Sequence, residues 1–419
     1  LQKIMTAIAR QTIRYERKRE AILDAAAMLF NARGLGGTII ADVAQSVGLT
    51  TTSVTYYYRR KEDLAAACLL RAIEVMDALV TRAEADGGTA QGRLTRFLEF
   101  YFTSLADTAE GRAPEGINFW DLRALTGQRQ AEASMAAFVA LFRRFRELFR
   151  APSGPTFSRI EQNARAHLIF SAVIRAKGWA RRYETEDYPR AAARMADILI
   201  NGVAAEGRAW APAMLELAMP GSPDAGEVSR DAFLKAATEL VNEYGYRGAS
   251  VDRISARLKV TKGSFYHHND TKDDLVAACF GRTFDVIRRA HRASATVADD
   301  GWNRLCAVCA ALVRHQFSED GPLLRLSALS ATAEAVRPGL LAEIGRLSEK
   351  TAGLLADGIA DGSIRAVDAT IAAELVNGMI NAAAELSKWS PAATIDTAAD
   401  LFVKPLMFGV FSPPGQLSN

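Results

Sequence analysis

SVDRISARLKVTKGSFYHHNDTKDDL, the stretch from Ser250 to Leu275, decides the fold. Val251, Ile254 and Leu258 recur at three- and four-residue spacing, which predicts a short helix with one apolar face over Val251–Leu258. Ser250 stands just before it, where its side-chain oxygen can accept from a free backbone N–H. Lys259 and Val260 read as a tight turn, and Thr261 as the cap of a second short helix, Lys262–His268, with Phe265 inward and polar and aromatic groups outward. Two short helices joined by a tight turn make a helix-turn-helix, whose second helix is sized for the DNA major groove.

The stretch occurs twice. Ala21–Cys68 aligns on Ala232–Cys279 without a gap, placing Leu23 on Leu234, Gly34 on Gly245, Gly37 on Gly248, Thr50 on Thr261, Ser53 on Ser264 and Lys61 on Lys272. This is an internal repeat of domain size. The pattern, clearest in the second copy, is helix, Gly-aromatic-x-Gly, helix, turn, (S/T)KGS(F/L)YHH, then K-x-x-L. It resembles the DNA-binding domain of the TetR family of transcriptional regulators, over about 50 residues of each half. The resemblance implies an all-α chain of two tandem lobes, each a three-helix reader followed by a larger helical ligand-binding and dimerisation domain. It also implies double-stranded operator DNA as partner, repression as the commoner role, and a small-molecule effector that releases DNA.

Outward from the repeat, the totals fit that picture. At 419 residues there is room for two or three domains. Net charge is only +3, so affinity for nucleic acid must come from local patches. Cys68, Cys279, Cys306 and Cys309 are too few for a disulfide scaffold and read as buried thiols. No glycine-rich phosphate loop, metal-spaced His/Cys cluster or nucleophile elbow is present, so neither an enzyme nor a bound metal or cofactor is expected. With no secretory signal and no apolar run of about 18 residues, the expectation is cytoplasmic.

The domains expected are a basic arm over 1–19, a first reader over 20–66, a first helical domain over 67–211, and a linker over 212–226 marked by Pro212, Pro220, Gly221 and Pro223. A second reader over 227–277 and a second helical domain over 278–419 follow. The arm carries six basic side chains against Glu16 alone, which suits phosphates or an adjacent minor groove, or else a solvated helix start. Helical periods are expected over Gln91–Thr108, Glu115–Leu125, Ala133–Arg150, Phe157–Tyr183, Pro189–Ala205, Trp302–Phe317, Leu323–Glu334, Leu340–Asp361, Ala369–Trp389 and Thr394–Phe408.

In the second reader Thr261, Lys262, Gly263, Ser264, Tyr266, His267 and His268 face outward if Phe265 faces the core. Gly263 admits a close phosphate, and the hydroxyl and imidazole groups suit phosphates or base edges. Lys272 opens the next helix, where an ammonium beside free N–H groups attracts a phosphate. In the first reader the outward set is Thr51, Thr52, Ser53, Thr55, Tyr56 and Tyr57, with Val54 inward and Arg59, Arg60 and Lys61 following. This copy departs from the pattern: Thr52 replaces the glycine, Thr55 the tyrosine, and Ile39 stands where Ser250 caps, leaving Thr38 as the other possible cap. The second copy departs at Asn269, which takes an aromatic position. Unlike faces predict unlike half-sites in an imperfect palindrome.

A chain with two readers can span two groove faces by itself, as a single-chain pseudo-dimer; a homodimer of chains is the alternative. Packing between lobes is expected through Phe157–Tyr183 with Pro189–Ala205, and Leu340–Asp361 with Ala369–Trp389. Aromatic stripes over 94–149 are ordinarily core. The resemblance makes Phe97, Tyr101, Phe119, Trp120, Arg123, Phe138 and Phe142 candidates for an apolar effector pocket, with Trp302, Cys306, His315 and Met379 behind them in the second half. The competing reading is an adaptor that binds protein, one reader having decayed.

Overall fold

The computed structural model describes residues 2–119, 129–150, 155–217, 230–261, 263, 271–297, 299–332 and 334–413. The fold is all-α; among the described residues there is no strand, only an isolated bridge between Ala204 and Ile364. The chain forms two compact units, Leu1–Leu79 with Asp107–Leu141, and Val80–Ala106 with Phe142–Asn419. The boundaries between them fall inside three long helices and not at the proline-rich junction near 212–226.

In the first unit, α1 (Gln2–Gly37) turns at Gly34, whose φ of 67° lies where glycine is favoured. After it come α2 (Ile40–Ser46), α3 (Thr51–Tyr57) and the start of α4 (Lys61–Ala85). Ile22, Leu23, Phe30, Val43, Val54 and Leu64 are all buried and form its core, Val54 facing inward as expected. Each such side chain contributes about 1.5–3 kcal/mol by leaving water.

The second unit holds α5 (Ala90–Ala109), the end of α6 (Arg129–Leu148), α7 (Arg159–Ala180) and α8 (Tyr188–Asn201). The second half follows as α9 (Arg230–Gly248), α10 (Val251–Leu258), α11 (Lys272–Val297), α12 (Gly301–His315), α13 (Arg337–Ala360), α14 (Ala369–Ala383), α15 (Leu386–Trp389) and α16 (Lys404–Phe408). Phe233, Leu234, Ile254, Leu275, Phe280 and Phe284 repeat the core of the first reader, packed with Leu324 and Leu347.

The repeat persists in its bonds. Arg71 pairs with Glu20 at 3.0 Å, and its counterpart Arg282 with Asp231 at 2.8 Å. The thiol of Cys68 donates to the Leu23 carbonyl, and that of Cys279 to the Leu234 carbonyl. Asn31 donates to Gly116 O at 3.0 Å and accepts from Asn118 N at 2.8 Å. Asn242 does the same to Leu323 O and Arg325 N, at 2.8 and 3.0 Å. In each half one amide clamps the first helix to a segment some 80 residues further on, past α5 in the first half and past α12 in the second.

That clamp explains two departures from the periodicity. Residues 114–118 are not helical, while 120–128 lie outside the described residues. In place of a helix over Leu323–Glu334 there is a short 3-10 turn, Leu326–Ala331. The N–H groups of Leu323, Leu324, Arg325 and Leu326 donate to the side chains of Gln316, Thr283, Asn242 and Asn381, which hold this stretch against its neighbours. Ahead of α16 the backbone widens into a π turn, Ala399–Val403. Pro405 has no N–H, and in a tighter helix its ring would press on the carbonyl four residues back.

Where the two halves meet, α14 packs on α7 and α8, α7 packs on the π turn, and α16 packs on α8. The expected partner Leu340–Asp361 stays in its own half: α13 packs on α11, α12 and α14, and 399–408 takes the place foreseen for it. His167 Nε2 lies 3.0 Å from Ala382 O, its ring stacked on Phe402 at 5.3 Å. Asn163 donates to Trp389 O at 2.7 Å, and Arg182 pairs with Glu374 at 2.8 Å. At the far end, α8 stops at Gly202 (φ 71°) and α16 at Gly409 (φ 94°). Val203 N donates to Met407 O and Val410 N to Leu199 O, both at 2.8 Å. A Cβ on Gly202 would stand 2.2 Å from Met407 O, and one on Gly409 2.1 Å from Ile200 O, so only glycine fits either position.

Candidate nucleic-acid interface

The first recognition helix is α3. Thr50 caps it, accepting from Ser53 N at 3.2 Å. Val54 is wholly buried and fixes the rotation of the helix. Thr51, Thr52 and Tyr56 are then exposed, and Ser53, Thr55 and Tyr57 half-buried. Tyr56 is 77% exposed, the largest apolar-bodied side chain offered to solvent on this face.

The preceding helix α2 lacks a side-chain cap. Thr38 does not serve: it is buried and donates its hydroxyl to Leu29 O and Gly34 O. Ile39 is the cap residue, and the Asp42 carboxylate accepts its N–H at 3.2 Å. Helix α4 opens with Asp63 accepting from Arg60 N at 3.2 Å and paired with the Arg60 guanidinium. Arg59 and Arg60 are exposed there and Lys61 half-buried.

The basic arm is helical from Gln2 and continuous with α1. Arg14, Arg17 and Lys18 are exposed on it, and Arg19 is engaged by Glu16 and Glu20. Sequence reasoning missed Tyr15. Its ring packs 4.7 Å from Tyr57 and 6.5 Å from Tyr56, joining arm to recognition helix. Burial first, then the fields of Tyr15, Tyr56 and Glu16, raise the pKa of Tyr57. Its hydroxyl therefore stays protonated, a donor for an anionic oxygen.

In the second reader Ser250 caps α10 through Arg253 N at 3.3 Å, and Lys259 closes the helix in the left-handed conformation at φ 56°. Thr261 and Gly263 are exposed. Lys262, Ser264, Phe265, Tyr266, His267, His268 and Asn269 lie outside the described residues. Lys272 is half-buried at the start of α11, its ammonium donating to the Tyr246 carbonyl and lying 4.2 Å above the Tyr246 ring. It ties the end of α9 to the start of α11, where Thr271 and Asp274 cap each other's N–H at 3.1 Å.

The effector candidates of the first half lie against other aromatic rings. Phe97 and Tyr101 stack at 6.3 Å, and Phe97 meets Phe145 edge-on at 5.1 Å. Phe142 stacks on Trp389 at 3.9 Å, and Phe119 faces Phe138 at 5.9 Å. Trp120 and Arg123 lie outside the described residues. In the second half Trp302, Cys306, His315 and Met379 are buried, Trp302 donating to Ala209 O at 3.1 Å. A cavity of about 70 Å³ opens there among Phe284, Ile287, Leu324, Ile344 and Leu347, with Arg175 and Glu374 at its polar end. The Arg175 Nε is buried without a partner.

Among the described residues no group of three His, Cys, Asp or Glu could hold a metal ion, and no helix is long and apolar enough to cross a membrane. All four cysteines are buried thiols. Burial pushes Cys68 up to about 12 and Cys279 up to about 11, away from reactivity.

Residues 22–68 and 233–279 each match the family of bacterial regulatory proteins, tetR family. The Transposon Tn10 TetC protein of Escherichia coli is 36% identical over 74 residues, 18% of this chain and 37% of that protein. The biofilm operon icaADBC HTH-type negative transcriptional regulator IcaR of Staphylococcus epidermidis is 33% identical over 66 residues, 15% of this chain and 36% of its own. The chain thus spans little more than a third of the length of these relatives. Among solved structures, apo AibR is 22% identical with a TM-score of 0.36, covering 45% of this chain and 100% of its own. A tetR-family regulatory protein from Rhodococcus RHA1 is 24% identical with a TM-score of 0.37, covering 43% of this chain and 93% of its own.

Proposed function

We propose, from the matches of residues 22–68 and 233–279 to the tetR family of bacterial regulatory proteins, that this chain is a DNA-binding transcriptional regulator, a repressor, reading an operator with both helix-turn-helix units of one polypeptide. The observation that carries the reading is the doubling of the reader itself, down to matched ion pairs, thiols and asparagine clamps. A symmetric regulator needs two readers, and this chain holds two. The packing of α7 and α8 on α14 and α16 supports a single-chain pseudo-dimer. Because Thr51–Tyr57 and Lys262–His268 differ in sequence, the two half-sites differ, and the operator is an imperfect palindrome.

Contacts on the first face come from Thr51, Thr52, Ser53, Thr55, Tyr56, Tyr57 and Lys61, and on the second from Thr261, Lys262, Gly263, Ser264, Tyr266, His267 and His268. Lys272 acts beside them by fixing the first turn of α11. A small apolar effector completes the reading, and the cavity lined by Phe284 and Leu347 supports a place for it in the second half.

The test is electrophoretic mobility shift on DNA flanking the protein's own gene. The expected result is a specific complex that Tyr266→Ala weakens strongly, with circular dichroism unchanged. A second reading is an adaptor with one decayed reader, favoured by the uncapped α2 and by Thr52 and Thr55. It predicts a footprint over one half-site, or none.

A further inference from the structure

We propose that the cleft between the end of α6, the start of α7 and Val410–Phe411 binds a small organic carboxylate with a flat apolar body. The cleft, of about 170 Å³, is distinct from both readers and from the cavity at Phe284. One water needs about 10–15 Å³ of such space, so the cleft takes on the order of a dozen non-hydrogen atoms. Arg146 and Arg165 stand on its polar side; Phe149, Phe157, Ile169 and Phe411 supply the apolar walls.

Arg165 is the reason for assigning an anion. It is only 8% exposed. Its Nε donates to Val410 O at 3.1 Å and one terminal nitrogen to Ser412 O at 3.4 Å, and its guanidinium lies 4.0 Å over the Phe157 ring. These partners are carbonyls and a ring, none of them a countercharge. The carboxylates nearby are committed elsewhere. Glu161, one turn earlier on α7, accepts from Ser158 N at 2.8 Å, and Glu147 is held by Arg146 and Arg150. Burial pushes Arg165 down to about 10 against the opposing field of Glu161, yet leaves it charged at neutral pH. A buried cation with no carboxylate in ion-pair contact is costly, and a planar carboxylate relieves that cost through paired N–H donors. A ring behind the carboxylate would lie among Phe149, Phe157 and Phe411. The ligand would then bridge α7 of the first half to Val410–Ser412 of the second.

Thermal shift and calorimetric titration of the full chain test this without any use of DNA. The probes are sodium benzoate, benzamide and sodium phosphate. Benzoate is expected to raise the unfolding midpoint saturably, and the other two are not. Ala166→Phe fills the cleft while leaving Arg165 and its carbonyl bonds in place. It is expected to weaken benzoate at least tenfold with circular dichroism unchanged, as is Arg165→Gln. No benzoate binding overturns the proposal. So does benzamide binding as well as benzoate, or phosphate binding as well as benzoate. Unchanged affinity in Ala166→Phe overturns the location.

Discussion

Tyr56 and Val54 sit two residues apart on α3, one open to solvent and the other sealed, and that contrast sets the first reader's orientation. Tyr56→Ala should lower operator affinity about tenfold, since a good contact to a base edge is worth about 1–3 kcal/mol. The unfolding midpoint should not move; an unaltered footprint would remove this face from the interface. Asn31 and Asn242 make a different point. Both stand in the sequence at matched positions, but as polar residues late in an amphipathic helix they read as solvated. Nothing local tells that each amide clamps a segment some 80 residues away. Asn31→Ala and Asn242→Ala should each cost about 1–3 kcal/mol in urea denaturation, because a backbone donor and acceptor lose their partner.

At the level of elements, the local signals were legible where helix stability is local. Thr50 and Ser250 announce their caps, Gly34 and Gly245 their turns, and Val54 and Ile254 their inward faces. Thr50→Ala should cost about 1 kcal/mol and loosen α3, measured as faster amide exchange in Thr51–Tyr57. Periodicity failed where distant side chains took the backbone. Four successive N–H groups over 323–326 donate to side chains from four other places in the chain, and the apolar run that reads as a helix forms only a short 3-10 turn. Of the site, the outward set on α3 was readable, but the stacking of Tyr15 on Tyr56 and Tyr57 depends on how α1 runs past α3. Lys272 was readable as a helix-entry cation, but not its engagement by Tyr246. Arg59 is exposed beside α3, and Arg59→Ala should flatten the slope of log K against log salt by about 1, measured by fluorescence anisotropy.

For the whole molecule, acid sensitivity follows from three buried imidazoles. Burial pushes His167, His291 and His315 each down to about 4. In the unfolded chain they protonate near 6.5, so between these values the unfolded state binds more protons. Stability therefore rises with pH across that window, and acidification from about 6.5 toward 4 favours unfolding by up to about 3 kcal/mol per histidine. Melting against pH should fall steeply below about 6.5, and His167→Gln should remove about one proton's worth of that slope. Light scattering should give one chain, 45.4 kDa, if both readers of an operator come from it; twice that mass would double the readers.

The mutual capping of α8 and α16 carries this further. Each terminal helix finishes on a carbonyl of the other, at glycines that admit no substitute, and the two are joined covalently, which holds them at roughly millimolar effective concentration. In the single-chain pseudo-dimer proposed above, such a pairing resists scrambling. Wild-type chains incubated with chains whose recognition helix is disabled should yield only the two parental species, with no hybrid of intermediate affinity. In a cell carrying both alleles, the defective one should fail to poison the functional one.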